Sequence, residues 1–229
     1  MDELALKKFY LSGALFFESL SHSDIAYVKS RSERKEFKKG QQLFRENSLS
    51  KGIYIIRKGK VKIMRANAEG RESIMYIYKK GEFLGFRPLL ADEPNPVTAQ
   101  AMDNVVATFI PRDVFYELLE RPAFSRQMLV SLAQEFTVWV NKITIFTQYH
   151  VKERVALSLL ILAKVYQSEN SDRLIISIGR DDFASFVGTA KESLVRMLRI
   201  FKDEGIIKAK GTQITLLKPK ALLPYLAGI

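Results

Sequence analysis

The spacing of apolar and polar positions changes period along the chain. From Phe37 to Pro111, glycines at 40, 52, 59, 70 and 81 separate short β-rich runs, GIYIIRKG, KVKIMRAN and RESIMYIYKKG. Val61 and Ile63 alternate with Lys60 and Lys62, the two-residue period of a half-buried strand. Several such strands, with turn signals about 8–12 residues apart, predict an antiparallel sandwich or barrel. Ahead of them, Leu4, Leu6, Leu11, Leu15, Phe16, Leu20, Ile25 and Val28 sit among polar neighbours and suggest short packing helices. The charged run KSRSERKEFKK, Lys29 to Lys39, reads as a solvated edge.

Beyond Pro111 the period becomes helical. A stretch reaching Glu120 is followed by Pro122, which suits the first turn of another helix. Leu129, Leu132, Phe136, Trp139, Ile143 and Phe146 then step by 3, 4, 3, 4 and 3 residues, a heptad stripe. Such a stripe serves a coiled-coil seam or a core helix packed on its own sheet, and spacing alone does not choose. Thr147 to His150 reads as a junction, and Val155 to Ala163 is apolar nearly all round, as in a buried helix.

Ile178 to Ile207 reads as two short helices joined at Gly188. Phe183, Ala184 and Val187 give the first an apolar face, and Leu194, Met197, Leu198 and Phe201 give one to the second. Thr189 with Glu192 three residues on fits a capping box, and Gly205 stands where a C-terminal cap is expected. The polar face carries Lys191, Glu192, Ser193, Arg196, Arg199 and Lys202. One buried and one basic face after a glycine turn is what a helix-turn-helix needs to seat its second helix in the major groove. Arg forks onto guanine, Glu accepts from cytosine, and Lys, Ser and backbone amides suit phosphates. LIISIG leads in as a strand, IIKAKGTQITLL forms a hairpin turning near Lys210 and Gly211, and PKALLPYLAGI packs back.

Composition sharpens this. The 229-residue chain has room for two modest domains and carries a net charge of +11. That charge favours a polyanionic partner without separating nucleic acid from an anionic membrane. Between Gly188 and Lys220 eight Lys/Arg face three Asp/Glu, so the surplus is dense at the proposed reader. There is no cysteine, which excludes disulfides and a cysteine-ligated iron–sulfur cluster. With only two histidines, far apart, and neither a P-loop nor a nucleophile elbow, an enzyme is not expected. Asp2 and Glu3 do not fit a secretory signal, and Val155 to Ala163 is far short of the ~20 residues of a membrane helix. A cytoplasmic protein with no membrane partner is expected.

The segment GTAKESLVRMLRIFKDEGIIKAKGTQITL closely resembles the winged helix-turn-helix of the cyclic-AMP receptor protein/FNR family of bacterial transcription regulators. The family pattern falls on Gly188, Ala190, Lys191, Glu192, Ser193 and Arg196, while Val195 stands where FNR-type readers carry Ser. FKKGQQLFRENSLSKGIYIIRKGKVKI resembles the family's sensor domain. The resemblance implies an α+β chain: an N-terminal β-roll (a cyclic-nucleotide-binding-like jelly roll) over 1–121, a long dimerisation helix and hinge over 122–150, and a C-terminal winged helix-turn-helix over 151–229. It places the heptad stripe at a two-fold interface, making a homodimer on a palindromic double-stranded operator. The Thr147–His150 junction becomes a hinge that ligand or partner binding re-angles. Glu192 and Arg196 are the expected base readers, with Lys191 a third reader or a phosphate contact. Arg180, Thr189, Ser193 and Lys210 are the expected phosphate contacts, with Lys208 also near phosphates. RNA polymerase remains an open partner.

Cyclic-nucleotide members hold the cyclic phosphate with a Gly-Glu pair and an Arg-Ser pair about ten residues on. The matching positions here are Gly85 with Phe86, and Pro96 with Val97, so the charged and hydroxyl contacts are gone. Arg87, expected on a strand, would point to the opposite face. Tight cyclic-AMP binding is therefore not expected. The pocket, expected to involve Gly85, Phe86, Arg87, Pro96, Val97, Thr98, Trp139 and Val140, is either closed by Phe86 and Pro88 or takes a different effector. Some relatives sense gases through haem. His22 and His150 lie outside the segment where those relatives place a ligand, which leaves Met and the N-terminal amine as conceivable ligands. The rival reading is a ligand-sensing β-roll whose winged helix contacts protein.

Overall fold

The computed structural model describes residues 6–11, 20–167 and 173–226; Leu4, Leu15 and Phe16 of the expected N-terminal helices lie outside them. The chain divides into two compact units inside one long helix, between Phe136 and Thr137, with the described residues up to Tyr10 belonging to the second.

The first unit begins with α1 (His22–Arg31), opened by a capping box from Ser21 and Asp24. Eight strands follow in two antiparallel sheets. One has the order β1 (Glu33–Phe37), β8 (Val105–Pro111), β3 (Gly52–Lys58), β6 (Phe83–Leu84). The other has the order β2 (Gln42–Phe44), β7 (Thr98–Ala101), β4 (Val61–Ala66), β5 (Glu72–Tyr78). This is the expected antiparallel β-roll. The charged run 29–39 supplies β1, an edge strand whose exposed Glu33, Arg34 and Glu36 discourage pairing with another chain.

The strict alternation expected of β4 is not observed, because Lys62 is buried with Val61, Ile63 and Met64. Lys62 lies mid-sheet, opposite Ile77 and Gln100, and its ammonium reaches Glu72 at 3.3 Å. The stem packs while the charged head finds a partner. A single core cluster joins Ile53 and Ile55 of β3, Phe83 of β6, Phe86 of α2 (Phe86–Ala91), and Val114, Phe115 and Leu118 of α3 (Arg112–Leu119). Phe124 and Met128 of α4 (Pro122–Gln148) complete it, with the Phe115 and Phe124 rings 5.9 Å apart. Each such buried side chain contributes about 1.5–3 kcal/mol of transfer free energy, enough to fix the first turns of α4 on the roll.

The second unit takes the rest of α4, then α5 (Val151–Tyr166), β9 (Ile175–Ser177), α6 (Arg180–Val187), α7 (Lys191–Asp203) and the hairpin β10 (Ile207–Lys210)–β11 (Gln213–Leu216). As its sequence requires, α5 buries every residue from Val155 to Ala163. β9, β11 and β10 form one sheet, and the tail Pro219–Leu226 packs back through buried Leu222 and Leu226.

Candidate nucleic-acid interface and effector cavity

Gly188 closes α6 in the left-handed region, at φ +69, and a Cβ there would lie 3.0 Å from the Phe146 ring. Only glycine fits both constraints. Arg154 of α5 donates to the carbonyl of Gly188 at 3.0 Å, holding the turn from beneath. At the far end of α7, the Gly205 and Ile206 amides bond the Lys202 and Phe201 carbonyls at 3.0 and 2.9 Å, a Schellman closure with Gly205 at φ +66.

The start of α7 differs from expectation. No Thr189–Glu192 capping box forms: Ala190 is the N-cap and no side chain caps the helix. The Thr189 amide is spent closing α6, bonding the Ala184 carbonyl at 3.1 Å, so α7 begins one residue later than a Thr189 cap needs.

Leu194, Leu198 and Phe201 bury one face of α7. The opposite face exposes Lys191, Glu192, Arg196 and Arg199, with Ser193 half-buried beside them and Val195 48% exposed. Glu192 and Arg196 are one turn apart and have no hydrogen-bond or ion-pair partner among the described residues. Lys191 is engaged, 2.8 Å from Asp181 of α6. Thr189 is half-buried and Lys210 exposed at the wing turn.

Arg180, expected among the phosphate contacts, is half-buried, donates to the Gly211 carbonyl at 2.9 Å and has a buried Nη1. Burial also lowers its pKa. Its role in this arrangement is to tie the wing turn to the start of α6.

The heptad stripe divides. Leu129, Phe136 and Ile143 are 67%, 70% and 60% exposed, and Val140 joins their row. Leu132 packs on the β-roll core cluster, while Trp139 and Phe146 are half-buried. Of the six residues expected at a dimer interface, Leu129, Phe136 and Ile143 form the exposed row. Leu132, Trp139 and Phe146 turn toward the chain itself, Phe146 being occupied against Gly188.

Between the β-roll and α4 lies a small cavity in which about 10 Å³ admits the centre of a water-sized sphere. Leu11, Phe83 and Phe86 form its apolar wall; Glu82, Ser131, Gln134 and Glu135 supply oxygens. Of the pocket residues expected from sequence, only Phe86 lines it. The expected orientation of Arg87 is corrected too: it lies on helix α2, not a strand, and is exposed. Gly85, at φ +92, opens that helix, and a Cβ there would stand 3.2 Å from the Gly52 carbonyl. Pro96 is exposed and Val97 half-buried. Thr98 is also half-buried, and its Oγ1 accepts from the Glu46 amide at 3.1 Å. Trp139 and Val140 lie a turn beyond Glu135 along α4.

The residues that sequence reasoning missed are the cavity's polar ones. Glu82 is 3% exposed and accepts from the Lys79 amide at 3.0 Å and from the Tyr76 hydroxyl at 3.5 Å. Burial raises its pKa to about 8 against the opposing pull of those donors. Glu135, 6% exposed, accepts from the Tyr78 hydroxyl at 3.1 Å, and burial raises it to about 7 while the Arg87 charge opposes. The Ser131 Oγ and Gln134 Oε1 are buried and lack a partner among the described residues. Ser131 and Glu135 are four residues apart on α4, a signal that exists in the sequence but lies off its apolar stripe.

Among the described residues no cluster of metal-binding side chains occurs, and no helix is long and apolar enough to cross a membrane. His22 and His150, the two histidines considered for haem, stand exposed at helix starts.

Comparison with known proteins agrees with this geometry. Residues 34–122 match the cyclic nucleotide-binding domain and residues 153–225 the Crp-like helix-turn-helix domain. The chain is 27% identical over 217 residues to the CRP-like cAMP-activated global transcriptional regulator of Mycobacterium tuberculosis, covering 93% of this chain and 94% of that one. It is 26% identical over 215 residues to the fumarate and nitrate reduction regulatory protein of Vibrio cholerae, covering 92% and 85%. The solved structure of FixK2 from Bradyrhizobium japonicum shares the fold, with a TM-score of 0.77 at 18% identity over 85% of this chain and 96% of that one. Two matched domains in this order, joined by one long helix, make the chain a member of the Crp/Fnr family of DNA-binding transcription regulators.

Proposed function

We propose that the chain works as a homodimer on a palindromic operator and that it acts by binding, not catalysis, in the cytoplasm. Two recognition helices meet successive major grooves when a two-fold axis holds them about 34 Å apart. The exposed row Leu129, Phe136 and Ile143 supplies the apolar surface for that pairing. Glu192 and Arg196 read bases, Lys191 joins them on leaving Asp181, and Thr189, Ser193 and Lys210 contact phosphates. The observation that carries this reading is the exposed, unpartnered Glu192–Arg196 pair on the outer face of α7.

The effector differs from cyclic AMP. Phe86 and Pro96 occupy the positions that hold the nucleotide in cyclic-AMP-binding relatives, and the cavity's own lining is carboxyl-bearing. A cyclic phosphate would find no Arg or Lys to pair with among the described lining residues. Effector binding shifts the balance between arrangements of the two readers only by its differential affinity for them.

Selection of bound duplex from a random pool tests the function. Two inverted half-sites about one helical turn apart are expected, with one base pair relaxed when Arg196→Ala is used. Recovery of unrelated sequences with no inverted repeat overturns the reading.

A further inference from the structure

We propose that the cavity bounded by β6, α2 and α4 binds the ammonium head of a small cation, as free ammonium or a short primary amine. The inference rests on reading the β-roll as the sensor, and it names the class of effector.

The lining decides the sign of the ligand. Glu82, Glu135, Ser131 and Gln134 line one otherwise apolar space, and no Lys or Arg side chain is among the described residues lining it. The Ser131 hydroxyl is 4% exposed with no partner, and the Gln134 carbonyl oxygen is likewise buried and unpaired. Such oxygens are costly to leave empty-handed, so a ligand bearing N–H donors gains where an apolar one does not. An anion finds no cationic side chain among the described lining residues, and meets a negative charge once either carboxyl ionises. The Phe83 and Phe86 rings, 5.1 Å apart, line the same space, and aromatic rings favour a cation over an anion.

Size narrows the class further. The free space suits about one water-sized group, and an ammonium group is of that size.

Entry is coupled to a proton. Around neutrality the buried carboxyls hold protons; when the cation enters, Glu135 releases its proton to solvent and the cavity's net charge is unchanged. Other groups bear on this exchange. The Lys79 amide and charge, the Tyr76 hydroxyl and the Glu135 charge act on Glu82, and the Tyr78 hydroxyl and the Arg87 charge act on Glu135.

The test uses the full chain, with calorimetric titration and thermal melts in ammonium, methylammonium, potassium and sodium chloride at matched ionic strength, at pH 6 and pH 8. The expected result is binding and a raised Tm with the two donor cations and not with potassium or sodium. Affinity should rise about tenfold between the two pH values, with proton release visible in the buffer dependence of the heat. Methylammonium binding at least as tightly as ammonium assigns the site to amine heads; the reverse assigns it to free ammonium. Glu135→Gln, a neutral isostere, and Ser131→Ala should each abolish the response while keeping the folded circular-dichroism spectrum.

Silence toward both donor cations at pH 8, an equal response to potassium, or a response surviving in both variants overturns the proposal. Operator affinity measured with and without the bound cation reports separately on the sensor reading. Binding that leaves DNA affinity unchanged upholds the site and removes its effector role.

Discussion

The chain holds its charge in two opposite settings. On α7 the Glu192, Arg196 and Arg199 side chains stand in water, whereas in the β-roll Glu82 and Glu135 are 3% and 6% exposed, and burial raises their pKa values to about 8 and 7. In water a charge is stable in either sign and waits for a partner; in the core it survives only by neutralising or finding a counter-ion. The first setting suits a surface that reads a polyanion, the second a detector that changes state with what enters it.

The largest test of this contrast moves a charge of fixed sign between the settings. Ser131→Asp adds a third carboxyl to the cavity and is expected to destabilise the fold by several kcal/mol, on the order of 3–5, in urea unfolding. Arg196→Glu should change stability by no more than about 0.5 kcal/mol while abolishing operator binding in a gel shift. Equal effects on stability would erase the distinction.

Next is pH. Both buried carboxyls have folded pKa values raised above the unfolded 4.5. The folded state therefore binds more protons, and their contribution to stability is fully present below about pH 4.5. It is lost as pH rises through about 7 and 8, by up to about 1.4 kcal/mol per pH unit for each group. Glu82→Gln with Glu135→Gln should flatten the pH 5–8 slope of denaturation midpoints; an unaltered slope refutes the assignment.

A smaller effect separates the exposed residues from one another. Arg196→Ala should cost about 1–3 kcal/mol and relax one base pair, whereas Lys210→Ala should weaken all sequences alike and lower the salt slope by about one. The smallest change sharpens the picture of Lys191. Asp181→Ala removes an exposed ion pair worth at most about 1 kcal/mol and should raise DNA affinity a few-fold by freeing the ammonium.

Local periodicity made much of this legible. The strand-and-glycine rhythm of 37–111, the all-apolar α5 and the Gly188 and Gly205 turns were each specified by neighbouring residues, and each appears where expected. What was not legible depends on tertiary placement. Lys62 is buried with its ammonium 3.3 Å from Glu72 on the neighbouring strand, and the heptad stripe splits because Leu132 meets the roll while Phe146 meets Gly188. Arg180 reads as a surface cation until the Gly211 carbonyl is brought to it. The cavity was hidden most deeply. Glu82 and Glu135 stand 53 positions apart in the chain, and nothing near either announces that both will face one space.

The bare N-terminus of α7 has a consequence for how the protein engages DNA. Ala190 carries no side-chain oxygen, its carbonyl accepting from the Leu194 amide at 3.0 Å, so no side chain caps the Glu192 and Ser193 amides. A backbone phosphate is a better lid for that turn than any residue supplied, and the helix dipole draws it there. An operator phosphate is expected to complete this turn, and hydrogen exchange at those two amides should slow once duplex is added.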